Sequence, residues 1–215
     1  MMDNSSNKNF DNPSEEASNR LELSRTFSFW YQFTQDRAKL RKDYENETKL
    51  LGNFSTIEQF WCYYQHMVRP DKLPVGSKFA VFHEGIKPAW EDKENQGGGS
   101  ITLRIKRNFA NKFWEDLLLS LIGEQCEDND AVCGMILNIK LNEVHVSIWT
   151  RALDDTGKEM VETWIRKTLG LNDSATFEFR HHPKPTTEET HQKPPAKKFE
   201  RSEGFRKSSE SDMKI

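Results

Sequence analysis

A chain of 215 residues has room for one domain with flanking tails, and a formal net charge of −3 gives it no global basic field of the kind that binds long nucleic acid. Any nucleic-acid ligand is therefore expected to be short and locally held. Cys62, Cys126 and Cys133 form no CxxC pair and are odd in number, which argues against a disulfide framework and for a reducing compartment.

Residues 1–22 are rich in Asn, Ser and Glu and nearly devoid of apolar side chains, so a disordered N-terminal tail is predicted. Its polar start, Met1-Met2-Asp3-Asn4, lacks the form of a signal peptide, and no apolar run approaches the roughly 18 residues that span a bilayer. A soluble intracellular protein without membrane contact is expected. From Thr26 to Phe33 aromatic residues alternate with Ser28, Trp30 and Gln32, which is the pattern of a strand. Thr34 to Asn53 is charged and irregular, compatible with a helix or with a mobile loop, and carries one aromatic, Tyr44.

Ser55-Thr-Ile-Glu58 has capping-box spacing and opens a predicted helix through Ile57, Phe60, Trp61, Tyr64 and Val68, ended by Arg69-Pro70. Lys78 to His83 reads as a strand. Gly97-Gly-Gly99 lacks the Lys-Ser/Thr of a phosphate-cradling loop and is expected to turn a hairpin into the strand carrying Ile101, Leu103 and Ile105. Asn111 to Ile122 is a helix closed by Gly123, with Leu119 on a second face. Met135–Lys140 and Val144–Trp149 form a hairpin; if Leu141 opposes Val144, Lys140 stands opposite His145. Thr156-Gly-Lys-Glu159 caps a helix that Gly170 closes, and Thr176 to Arg180 is the last strand. Two hairpins among separated helices favour an α+β fold, a mainly antiparallel sheet with helices on one face and His145, Ser147 and Trp149 on the other. The domain is expected to span 23–181, followed by a Pro-, Lys- and Ser-rich disordered tail over 182–215.

The chemistry concentrates at Lys87-Pro88-Ala89-Trp90-Glu91. Pro88 disfavours helix before it, so the Trp-Glu pair is presented on a loop. An aromatic face attracts a cation by roughly 0.5 to 2 kcal/mol, and a carboxylate accepts two parallel N–H bonds from a planar edge. Together they suit a flat cationic heterocycle such as a methylated guanine. The same residues also fit a loop tryptophan packed on the core beside a solvated acid. With Tyr44 as a second ring and Lys140 and His145 as phosphate partners the set would accept a capped nucleotide, although the two basic residues also read as a solvated cross-strand pair. Ile57, Trp61, Leu119 and Ile122 either line an apolar groove for a partner helix or belong to the core. No nucleophile–base motif, no HExxH and no carboxylate cluster with metal spacing is present, so neither catalysis nor a cofactor is expected. His66, His83, His181, His182 and His191 read as surface or tail residues.

From about Arg20 to Arg180 the chain resembles the messenger-RNA cap-binding translation initiation factor family. The resemblance rests on Phe29-Trp30-Tyr31, Ser55-Thr-Ile-Glu-Gln-Phe-Trp61, Phe82 through Asp92, Phe113-Trp114 through Glu124, Val132-Cys-Gly134 and Ser147-Ile-Trp149, in that order. It implies a curved antiparallel sheet with three helices on its convex face, the cap in the concave face and protein partners on the helical back. By position it makes Tyr44 and Trp90 the stacking rings and Glu91 the reader of the guanine edge. Trp149 becomes the ring near the methyl group, and Lys140 with His145 the phosphate contacts. Trp61 becomes the centre of the dorsal groove, with Ile57, Leu119 and Ile122 beside it. It further implies a monomer, cytoplasmic with room for a nuclear pool, that binds capped messenger RNA and takes a scaffold or repressor helix in that groove. Tyr44 in place of the usual Trp, Tyr31, and His66-Met-Val-Arg-Pro70 resemble the divergent four-E homologous protein subclass, which represses translation in animals and has plant counterparts. Ser100 stands where the family usually has Lys or Arg, and Leu21-Glu22 where it usually has His-Pro. These departures leave open an adaptor whose cap site is weakened and which acts through the groove alone.

Overall fold

The computed structural model describes residues 20–33 and 48–183. The predicted tails, apart from Arg20 to Glu22 and His182-Pro183, lie outside the described residues, as do Tyr44 and His191. The elements in chain order are β1 (Glu22–Phe33), β2 (Thr48–Thr56), α1 (Ile57–Tyr64), β3 (Ser77–His83), β4 (Gly99–Lys106), α2 (Ala110–Ile122), β5 (Val132–Ile139), β6 (Glu143–Thr150), α3 (Asp155–Leu169) and β7 (Glu178–His181). The seven strands form one curved antiparallel sheet in the order β2-β1-β3-β5-β6-β4-β7. This is the α+β arrangement that the alternating patterns predict.

Alternation assigns the two faces. Phe27 and Phe29, Phe79 and Val81, Met135 and Leu137, Val144 and Val146, and Ile101 and Leu103 all point to one side, where they bury Phe60 of α1, Trp114, Leu117 and Leu118 of α2, and Val161, Trp164 and Ile165 of α3. Each such side chain contributes roughly 1.5–3 kcal/mol by leaving water. On the opposite, open face the register lays side chains out in rows. One row runs Ser28, Phe82, Gly134, Trp149, Ser100, Arg180; the next runs Trp30, Ala80, Ile136, Ser147, Thr102, Glu178; a third runs Gln32, Lys78, Asn138, His145, Arg104. Gly134 sits where any Cβ would come within 2.4 Å of the Val81 carbonyl oxygen and 2.5 Å of the Phe82 ring. Its bare backbone lets Phe82 meet Trp149 edge-on, with ring centroids 5.6 Å apart.

Several local expectations are corrected. Thr48–Thr56 is strand β2, two thirds of it within the stretch read as helix or mobile loop, because pairing with β1 supplies hydrogen bonds that its charged pattern does not announce. The predicted hairpin at Gly97-Gly-Gly99 does not form: β4 pairs with β6 and β7, not with β3. Val144 opposes Ile139, so His145 faces Asn138, and Lys140 opens the turn with its N–H on the Glu143 carbonyl, 3.0 Å. α1 is capped by Thr56, whose hydroxyl accepts from the Gln59 N–H at 3.1 Å, and it ends at Tyr64. α3 is capped by Asp154, and Gly170 closes it in the left-handed region as expected. α2 closes differently: Glu124, at φ 50, takes the left-handed position expected near Gly123, and Gln125 N–H reaches the Ser120 carbonyl at 3.0 Å.

Candidate functional site

The loop between β3 and β4 carries Trp90 and Glu91, and a buried amide fixes its shape. Asn95 has no exposed surface, and its side-chain N–H2 donates to the carbonyls of Lys87 and Ala89, each at 2.8 Å. The Asp92 carboxylate accepts from the Lys87 and Glu94 N–H groups, both at 3.0 Å. Ile86 plugs the base of the loop into a small apolar cluster with Phe82, Cys133, Trp30 and Trp149. On this pinned loop Trp90 is half-buried and the neighbouring Glu91 is exposed.

The loop is also tied to Trp149. His182, expected to be a tail residue, is buried and packs against Trp149 with ring centroids 4.2 Å apart and the ring planes tilted by 47°. Its Nδ1–H donates to the Asn95 backbone carbonyl at 2.8 Å, and burial lowers its pKa, so the ring that supports Trp149 is neutral. His83 is the second histidine read as surface that is in fact buried, whereas His66 and His181 are exposed.

Beside Trp149 the open face holds a cavity of about 340 Å3 lined by Lys78, Arg104, Lys140, His145, Arg180 and Ser147 among others. Lys140 and His145 therefore share one cavity, although not as the directly opposed pair first expected. The two-residue difference in register preserves the face. His145 Nε2 lies 2.6 Å from the Glu143 carboxylate, whose pKa that contact lowers. Lys78, Arg104 and Arg180 were missed in the sequence. Alternation alone would have placed each on this face once the strand order was known. A larger cavity of about 700 Å3 opens around the outer edge of β4 beneath Phe109, Phe113 and Phe177, away from the Trp149 row.

On the helical side Trp61, Ile57 and Leu119 are 42%, 37% and 37% exposed, while Ile122 is buried in the main core, which corrects its expected place on an exposed groove. Tyr64 bonds Glu115 at 2.9 Å and so ties α1 to α2. Ile57 and Trp61, and Glu115 and Leu119, are four apart, which puts the exposed apolar residues on the faces flanking that tie. Leu21, 61% exposed, is joined to the start of α1 by Ile57 N–H on its carbonyl at 2.9 Å, and extends the patch.

The described residues thus form an open antiparallel sheet backed by helices, with aromatic and basic side chains lining a cavity on its free face. The family model for eukaryotic initiation factor 4E matches residues 22–197. The eukaryotic translation initiation factor NCBP of Oryza sativa subsp. japonica is 38% identical over 161 residues, 74% of this chain and 70% of that protein. The eukaryotic translation initiation factor isoform 4E of Arachis hypogaea is 31% identical over 182 residues, 83% of this chain and 89% of that protein. Among solved structures, C. elegans eIF4E-3 in complex with the 4E-binding protein Mextli and cap analog superimposes with a TM-score of 0.70 at 32% identity, covering 76% of this chain and 93% of that one. The chain belongs to the eukaryotic initiation factor 4E family, whose members are cap-binding factors of translation initiation and not enzymes.

Proposed function

We propose that this chain binds the 7-methylguanosine cap of messenger RNA and regulates translation initiation as a divergent, repressor-type or specialised cap-binding factor. The observation that carries the reading is the loop pinned by Asn95, which holds a half-buried Trp90 next to an exposed Glu91 and is tied through His182 to Trp149, a ring of the open face whose cavity is lined by basic side chains. Methylation makes the base cationic, so a ring sandwich prefers it to plain guanine by roughly 0.5 to 2 kcal/mol. Trp90 supplies one ring and Tyr44, outside the described residues, the other. Glu91 accepts from the guanine's N–H edge, Trp149 flanks the methyl group, and Lys140 and His145 meet the phosphates. A partner helix docks on Trp61, Ile57 and Leu119, and the chain works as a cytoplasmic monomer. The capture of C. elegans eIF4E-3 with a cap analog and Mextli supports both the ligand and the kind of partner.

Fluorescence titration with a methylated cap analogue and its unmethylated counterpart tests the site. The methylated compound alone should quench, and Trp90→Ala or Glu91→Ala should weaken binding at least about tenfold, the value of one charge-assisted contact. Unchanged binding in both variants would overturn the assignment. A second reading, an adaptor with a weakened cap site, draws on the uncharged Ser100 and on the carboxylates that engage His145, Arg104 and Arg180. Absence of quenching by either compound would favour it.

A further inference from the structure

The open face has an edge that the cap reading leaves unused. β7 lies outside β4 with Arg180 opposite Ser100 and Glu178 opposite Thr102. On the other side of β4, Ser100 faces Trp149 and Arg104 faces His145. Arg180 is thus two strand spacings, about 10 Å, from the Trp149 backbone along one row, within reach of a ligand seated at that ring. Glu178 stands between the two arginines. One carboxylate oxygen accepts from Arg104 Nη2 at 2.9 Å and the other from Arg180 Nε at 2.7 Å. Hydrogen bonds from both guanidinium groups hold the Glu178 carboxyl below its ordinary value, so it is ionised at neutral pH. All three side chains line the cavity that holds Lys140, His145 and Trp149.

A guanidinium is permanently charged and offers paired N–H donors that fit carboxylate and phosphate oxygens alike. A ligand phosphate arriving here must therefore compete with Glu178 for donors already engaged. A single phosphate gains little from that exchange, because it displaces one anion by another. A chain of several phosphates reaches Arg104 and Arg180 while its inner oxygens remain on the basic residues nearer β5 and β6. Glu143, paired with His145, repeats the arrangement one strand inward. We propose that Arg104, Glu178 and Arg180 form a self-compensated phosphate subsite that makes affinity depend on the number of phosphates in the ligand. Glu178 aligns the two arginines and suppresses binding of singly phosphorylated nucleotides. The inference rests on the cap reading for the identity of the base but not for the phosphate contacts.

The test is a titration series with methylated guanosine mono-, di- and triphosphate and with inorganic triphosphate, on the full chain and on Arg180→Ala, Glu178→Gln and Trp90→Ala. All three cluster residues are partly exposed, so each contact is expected to be worth up to about fivefold. Arg180→Ala should weaken the triphosphate about fivefold and the monophosphate less than about twofold. Glu178→Gln should tighten the monophosphate and flatten the dependence on phosphate number. If both variants keep the wild-type dependence on phosphate number, the subsite is wrong. Trp90→Ala separates the two readings. If methylated and unmethylated triphosphates bind alike and Trp90→Ala changes nothing, the cap reading fails, while loss of inorganic triphosphate binding in Arg180→Ala still upholds the subsite. A wild-type chain that binds none of the phosphate series overturns both.

Discussion

Asn95 shows how a side chain that touches no ligand can set a binding site. Two loop carbonyls, Lys87 and Ala89, accept from its amide N–H2, and its backbone carbonyl accepts from His182, which supports Trp149. Asn95→Ala would leave each carbonyl with a single backbone donor, Ala89 N–H on Lys87 at 2.8 Å and Asp92 N–H on Ala89 at 3.2 Å, a loss of roughly 0.5–1.5 kcal/mol for each bond removed. The loop is expected to open, since it can move more cheaply than the sheet. Affinity for a methylated cap analogue should then fall about tenfold, with the spectroscopic signature of the fold retained. Titration of Asn95→Ala beside Trp90→Ala checks this, and wild-type affinity in the Asn95 variant would show that the loop holds its shape without the amide. The Trp-Glu pair proposed to hold the base could be picked out in the sequence because its two residues are adjacent. Asn95 and His182 were not, since nothing local marks an amide or an imidazole that will be buried by contacts 87 residues apart.

The helices were readable by period, and their caps only approximately. Ser55 and Thr56 both offer a hydroxyl, and which of them caps α1 is decided by where Thr56 leaves the strand pairing with β1. The sheet was harder. β4 alternates as clearly as any strand here, yet alternation says nothing of its neighbours, and its partner β6 lies beyond α2 and β5. Turn glycines suggested the nearer strand, and that was wrong. The register of the β5–β6 hairpin was misjudged by two residues with no change of face, so Lys140 still reached the cavity. The exposed stripe on α1 leads to an expectation of its own. Trp61 leans on the rings of Phe60 and Tyr64 but keeps 42% of its surface in water, so truncating it removes contact area for a partner more than core. Trp61→Ala should cost the fold only about 1 kcal/mol, abolish capture of an amphipathic partner helix and leave cap-analogue binding intact. A pulldown in which the variant keeps its partners would remove Trp61 from the interface.

The molecule as a whole carries a pH dependence that sequence alone concealed. His83 read as a surface residue, but pairing across the sheet with Phe27 places it against that ring, centroids 5.1 Å apart, with 9% of its surface exposed. Burial, then the charges of Arg25 and Arg151, lowers its pKa to about 4. The unfolded chain takes up this proton near pH 6.5, the folded chain not until about pH 4, so the unfolded state binds more protons between those values and stability rises with pH there. The contribution is complete above pH 6.5 and is lost as the pH falls toward 4. Between pH 7.5 and 5 the loss is about 2 kcal/mol from this group, and His182, also lowered by burial, acts in the same direction. Carboxyl groups held down by partners, Asp130 beside Arg25 and Glu178 beside Arg104 and Arg180, keep their contribution until the pH drops below their ordinary range. The interval from 7.5 to 5 therefore reports the buried imidazoles. Urea unfolding at the two pH values should show wild-type stability falling and a His83→Gln variant falling about 2 kcal/mol less. Should that variant fold poorly, the imidazole resonance of His83 in the wild-type chain answers the same question: it should remain that of a neutral ring at pH 5, and protonation near pH 6.5 would refute the buried assignment.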